Sequence, residues 1–207
     1  FYRGCQGESV NHPTAMYHMN TGAKFGGDPA VGAWVTYGLG TLNENLPAFV
    51  VLPEVAFPQG GPGNWGNGFL PAHYQGTPLR SEGAPILDME PPGGLDPDHR
   101  RQGLNLLSEL NESHAARHPK HDALTARMES YELAFRMQSS VPELTDISGE
   151  PKHILDMYGP EVTTPGTFAA NCLLARRMAE RNVRFVQIFI RGWDQHGSLP
   201  NDIRGQC

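Results

Sequence analysis

Asp194 and His196 stand two residues apart in the run R-G-W-D-Q-H-G, residues 191–197. A carboxylate and an imidazole are suitable ligands for zinc or a similar divalent ion. The carboxylate could equally orient the imidazole for proton transfer. A plain turn would use the same residues without chemistry, with Asp194 capping backbone amides and His196 exposed. Asn11 and His12 form the second candidate pair, opening N-H-P-T-A-M-Y-H-M-N-T-G, residues 11–22. They precede a helix N-terminus, where free N–H groups and the helix dipole favour a phosphate or sulfate group. A histidine there could bind or attack that anion. As a simple cap the pair would do neither.

Three further groups are expected to be structural. Trp65 and Phe69 lie among glycines in residues 60–70 and could make a platform for a sugar ring. A loop pinned to the body by its aromatics is the preferred reading. His73 and Tyr74 add polar groups beside it but no pattern. His114, His118 and His121 have a spacing that invites a metal, but Pro119 interrupts the helix between the last two, so solvated surface is expected. Arg176, Arg177 and Arg181 are expected on the wet face of their helix. No G-x-S-x-G elbow, P-loop, C-x-x-C pair or Rossmann glycine signature is present.

The elements that must place these residues can be read from periodicity. Residues 183–190 are β-formers interrupted only by Arg184 and Gln187, which predicts a strand buried on both faces, as in parallel sheets. A helix over 167–181 precedes it, giving a helix-then-strand α/β unit. Ligands in such sheets bind at the carboxyl ends of strands, which is where Asp194 and His196 fall. Residues 11–22 read as a short helix with Pro13 in its first turn, Gly22 as its stop, and Ala15, Met16 and Met19 inward. Residues 29–38 read as a helix with Val31, Trp34 and Val35 on its apolar face. Residues 48–52 form a second buried strand closed by Pro53. Residues 53–83 are a long Gly/Pro-rich stretch, of a length that is uncommon unless functional or linking.

Further along, residues 86–89 suggest a short strand, broken by E-P-P-G-G at 90–94. A helix from Asp96 or Pro97 to Arg117 carries Leu104, Leu106, Leu107 and Leu110 as its stripe. A second, over 121–139, turns Leu124, Met128, Tyr131, Phe135 and Met137 inward. Together, residues 95–140 read as a helical-hairpin excursion within one domain spanning 1–207. A turn at 146–149 and a short helix over 150–158, stopped by Gly159 and Pro160, complete the pattern.

Composition bounds the class. The chain has 207 residues, 39% of them hydrophobic and 18% charged, enough for one cored domain. The 24 glycines and 18 prolines predict many loops. A net charge of -6 argues against nucleic acid as a partner, and no apolar run reaches membrane-spanning length. Cys5, Cys172 and Cys207 form no zinc pattern, and burial is the preferred reading for Cys172. The start at Phe1 without a signal segment, and an end at Cys207 in a loop, lead us to expect a fragment.

The runs N-H-P-T-A-M-Y-H-M-N-T-G, W-V-T-Y-G-L-G, N-L-P-A-F-V-V-L, Y-E-L-A-F-R-M-Q and R-G-W-D-Q-H-G occur in this order. With them the chain resembles, over nearly its whole length, a large family of bacterial sulfatase-like proteins of the alkaline phosphatase superfamily, most of unknown function. The resemblance implies an α/β sandwich with a mostly parallel central sheet flanked by helices, incomplete in this chain. It implies a metal site at the strand ends that activates a nucleophile and holds a phosphate or sulfate ester. Asp194 and His196 look like the metal-side Asp and His. His12 falls near the place of the sulfatase nucleophile, with Pro13 and Thr14 following. The Arg expected next is replaced by Ala15 or Met16, and no Cys is present there for conversion to formylglycine. The family's upstream Gly-Gly-Pro-Ser segment and downstream Gly-Glu-Phe-Gly and Asp-His-His segments, implied to supply further ligands, are absent.

The resulting expectation is a metal-assisted hydrolase of a sulfate or phosphate ester, on a small-molecule or carbohydrate substrate. Asp194 and His196 would hold a divalent ion such as zinc or calcium, only partly coordinated by this chain. His12 would act at the anion end and Asn11 would help bind substrate. Export to the periplasm or exterior is implied by the resemblance. The alternative is an exported, non-catalytic binding or interaction module that kept the fold and lost the chemistry.

Overall fold

The computed structural model describes residues 4, 6–54, 57–80, 96–118 and 122–206. The strand expected at 86–89, and Cys5, His121 and Cys207, lie outside the described residues. Among the described residues, seven α-helices and three strands follow in chain order: α1 (His12–Thr21), α2 (Val31–Leu39), β1 (Phe49–Pro53), β2 (Thr77–Pro78), α3 (Pro97–Arg117), α4 (Asp122–Thr145), α5 (Lys152–Tyr158), α6 (Phe168–Glu180), β3 (Phe185–Phe189) and α7 (Leu199–Gln206). The strands form one parallel sheet in the order β2–β1–β3, flanked by helices, so the described fold is α/β and mostly helical.

β1 is the centre of this sheet and all five of its residues are buried. Side chains alternate across a strand, so β1 serves two cores. Phe49 and Val51 meet Ala30 and Trp65 on one face. Val50 and Leu52 meet Leu79, Met137, Val141, Leu144 and Met178 on the other. Two-sided burial was expected of the strand before Asp194. In the structure β3 is half-buried throughout, because among the described residues it pairs with β1 alone. The register sets Phe185 beside Phe49 and Gln187 beside Val51. This parity puts Phe185, Gln187 and Phe189 on the Phe49 face.

Within the Gly/Pro-rich stretch, residues 57–80 carry regular structure. They contain two 3₁₀ turns, Gly61–Trp65 and Ala72–Tyr74, and the edge strand β2. Trp65 is 1% exposed and packs between Phe57 and Phe189, so it pins the loop, as preferred. Phe69 stays exposed and meets the edge of Trp34.

Several inward faces differ from those read by periodicity. α2 buries Gly32, Ala33 and Thr36, and leaves Val31 and Trp34 exposed. The reason is proximity: a Cβ on Gly32 would stand 2.5 Å from Phe49 Cζ, so only a small-residue face lets this helix touch the sheet. α1 turns Tyr17 and Asn20 to the body by hydrogen bonds, and Met19 is exposed. In α3, Leu104 is half-buried while Leu106, Leu107 and Leu110 are exposed. That helix meets α4 through the Arg101–Glu132 pair, with Arg101 4.3 Å above the Phe135 ring. α4 runs on to Thr145, through Pro142, because Met137, Val141 and Leu144 recur at helical spacing into the core. Tyr131 is exposed.

Arg177 is buried, where a wet face was expected. The last carbonyls of α4 have no helical donors. Arg177 Nε donates to Leu144 O at 2.8 Å, and its NH2 group donates to Glu143 O and Asp146 O. Arg177 and Arg176 both pair with the Glu150 carboxylate. Those bonds, Arg176 first, hold the Glu150 carboxyl below its ordinary value. Arg181 NH1 donates to Arg177 O. Cys172 is half-buried and free, and burial pushes its thiol up. No helix among the described residues is long and apolar enough to cross a membrane.

Candidate metal centre

Two anchored segments bring the candidate residues together. The first is α1. His12 is its first residue, and Asn11 is its N-cap in an extended conformation with no side-chain capping bond. The cap is held by its carbonyl instead: Asn11 O accepts from Ala15 N at 2.8 Å and from Thr14 Oγ1 at 3.1 Å. Gly22, at φ 80°, ends the helix as a left-handed cap. Tyr17 OH donates to Gly60 O at 2.7 Å. Asn20 Nδ2 donates to Asn64 Oδ1 at 3.2 Å, and Asn64 is fully buried. Asn20 Oδ1 accepts from Gln187 Nε2 at 2.7 Å.

Gln187 explains itself in this setting. It interrupts an apolar strand, and its parity aims it at the face that α1 covers. It is the join between the helix that starts with His12 and the strand that leads to Asp194.

The second segment follows β3. Glu54 takes over where β1 ends: its N–H donates to Phe189 O at 3.0 Å, and its Oε2 accepts from Arg191 N at 2.8 Å. Gln206, on α7, donates from Nε2 to Arg191 O at 2.8 Å. Gly192 takes φ 88°, a left-handed conformation that favours glycine. Gln195 Nε2 donates back to Gly192 O. α7 was not read from the sequence, although Ser198 and Pro200 carry a helix-start signal.

The segments converge at one carboxylate. His12 Nε2 lies 3.2 Å from Asp194 Oδ2. His196 Nε2 lies 2.7 Å from Oδ1 and 2.8 Å from Oδ2. One ligand atom from each of the three residues lies within 4.8 Å of the others. All three side chains are exposed, His196 the most at 81%. Donors sharing one ion at bonds of about 2.1 Å stand roughly 3 to 3.5 Å apart. Two imidazoles and a carboxylate are the right donor types for zinc and its neighbours. The residues present therefore fit a divalent ion with small side-chain adjustments.

Among the described residues this is the one group that gathers three such side chains. Asn11 adjoins it through the chain. The His114 and His118 rings meet at a tilt with centroids 4.4 Å apart, on exposed surface. His73 packs on Tyr74 and lies 3.6 Å from Glu129. The positioning residues Tyr17, Asn20, Gln187 and Gln206 were not singled out from the sequence. A polar residue inside an apolar strand, Gln187, was the signal for one of them.

The model of one protein family, described as a protein of unknown function (DUF1501), matches residues 1–207. No curated protein matches the chain, and no solved structure does.

Proposed function

The chain belongs to this DUF1501 family of unknown function, and on the geometry of its His12–Asp194–His196 group we propose a metal-assisted hydrolase of a sulfate or phosphate ester. The observation that carries the reading is the convergence of residues 182 positions apart in sequence on one carboxylate. The resemblance of the sequence runs to sulfatase-like proteins supports the same chemistry and would bring export with it. Asp194 and His196 would hold the divalent ion, which when bound supplies charge neutralisation at the ester oxygens. His12 would stand at the anion end. As the first residue of α1 it lies beside the free N–H groups of the helix N-terminus, which favour a negative ligand. Asp194 also sits within hydrogen-bonding distance of His12 Nε2, so with the ion on Asp194 and His196 it would orient the His12 ring. An imidazole so oriented is suited to donate a hydrogen bond or a proton to an ester oxygen. Asn11, uncommitted as a cap, would contact the same anion.

The test is metal content by elemental mass spectrometry, with aryl sulfate and aryl phosphate hydrolysis measured in parallel. The wild type is expected to carry a stoichiometric divalent metal and to lose it, with its activity, in Asp194→Ala. Activity that survives that substitution sinks the reading. A second reading, a non-catalytic binding module, is favoured by the exposure of the group, since ester chemistry gains from excluding water. Metal retention with no hydrolysis of either ester would select it.

A further inference from the structure

A cavity of about 280 Å³ lies on the opposite side of the sheet from α1, between the carboxyl ends of β1 and β2 and the start of α6. Leu52, Leu79, Val162 and Leu173 form apolar walls, all part of the folded interior. Asn171, also buried, is fixed there by donating from Nδ2 to Pro53 O at 3.2 Å. Arg80 stands at the rim, directly after β2, exposed and the only charged side chain among the described lining residues. It makes no ion pair among the described residues.

The location follows from the topology. The chain leaves β1 for β2 across the Phe49 face, through the turn that carries Trp65. It returns to the other side of β1, as β3, by way of α4 and α6 on the Leu52 face. The connections that leave β1 and β2 thus pass over opposite faces of the sheet. In open parallel sheets the crevice between the carboxyl ends of two such strands is where ligands bind. The volume is near the lower end for small-molecule sites, roughly 300 to 1,000 Å³. A largely apolar hollow with a single cation at its mouth matches a small molecule with an apolar body and one anionic head.

We propose that this cavity is a binding site for a small amphiphilic anion, a medium-chain carboxylate or its like, with the head group on Arg80 and the apolar body against Leu52 and Leu173. The site is separate from the His12–Asp194–His196 group and does not depend on a metal. Arg80 would contribute selectivity through a charge-assisted bond, and the walls would contribute affinity by burial.

Titration of the protein with octanoate and with octan-1-ol, followed by methyl NMR shifts of Leu52 and Leu173, tests the proposal. Saturable octanoate binding is expected, unchanged by a chelator. Arg80→Gln should weaken octanoate at least tenfold and leave octan-1-ol unaffected. Ala170→Trp, which places a large side chain in the lining, should abolish both. Arg80 is exposed, so its variant keeps the test valid should Ala170→Trp fail to fold. No saturable binding by the wild type overturns the site. Equal octanoate affinity in Arg80→Gln overturns the anion.

Discussion

Gln187 Nε2 donates to Asn20 Oδ1 at 2.7 Å, which ties the strand leading to Asp194 to the helix beginning at His12. The bond spans 167 positions of sequence. A neutral hydrogen bond contributes about 1 kcal/mol to stability, so its removal should leave the fold standing. Its effect on the relation between His12 and Asp194 should be larger. Gln187→Leu is expected to weaken divalent-ion binding about tenfold by titration calorimetry, with a small loss of stability. Affinity equal to wild type would mean that α1 is placed without this join.

Ion binding should appear in thermal stability. A ligand that binds only the folded chain, present at a hundred times its dissociation constant, stabilises by about 2.7 kcal/mol. Melting temperature should rise with added zinc or manganese and stay flat in Asp194→Ala. The exposure of all three side chains implies that the chain remains folded when the ion is removed by chelation. Loss of the circular dichroism spectrum on chelation would contradict this.

Glu150 predicts an acid sensitivity of defined sign. Its carboxyl is depressed by bonds from Arg176 and then Arg177. The stability it contributes is therefore present above the unfolded value, about 4.3, and is lost as pH falls through the lower folded value. Urea midpoints of the wild type should drop across that window. Glu150→Gln should be less stable at neutral pH and show a flatter acid limb. Parallel profiles for the two proteins would remove Glu150 from the account.

Arg177 should be costly to lose. It satisfies three carbonyls at and beyond the end of α4 and shares the Glu150 carboxylate. Removing one partner of a buried pair costs roughly 3 kcal/mol or more. Arg177→Leu is expected to lower the urea midpoint accordingly, while an exposed substitution such as Lys152→Gln changes little.

Gly32→Ala sets two effects against each other. Alanine gains about 1 kcal/mol in helix propensity. The added Cβ would stand 2.5 Å from Phe49 Cζ in a filled core, and overpacking costs about 1 to 3 kcal/mol. Phe49 is buried against Phe185, so it has little room to turn. Net destabilisation is expected by chemical denaturation.

Local pattern was enough for several elements. Thr167 caps α6 by accepting from Ala170 N, and Asn182 ends that region at φ 62°, as its side-chain type allows. Pro13 and Gly22 bound α1, and the apolar run at 49–53 is a buried strand. Pattern failed where a neighbour across space decides which face is inner. In α2 the Phe49 ring selects Gly32 and Ala33 over Val31 and Trp34. In α6 the open carbonyls of α4 draw in Arg177, a residue that charge alone assigns to solvent. β2 is too short, at two residues, to register as a periodic signal.

The sequence by itself determined the α/β alternation, the caps and stops, and the side-chain types able to bind an ion, because these depend on near neighbours and on residue chemistry. It also placed Asp194 and His196 just past a strand. That His12 meets them was implied only by the family resemblance, and the contact itself is built by the tertiary structure. It depends on the parity of β3, on the Gln187–Asn20 bond, and on the anchors at Glu54 and Gln206 that fold the loop back. Each of these is a contact between distant segments, and no periodicity within either segment encodes it.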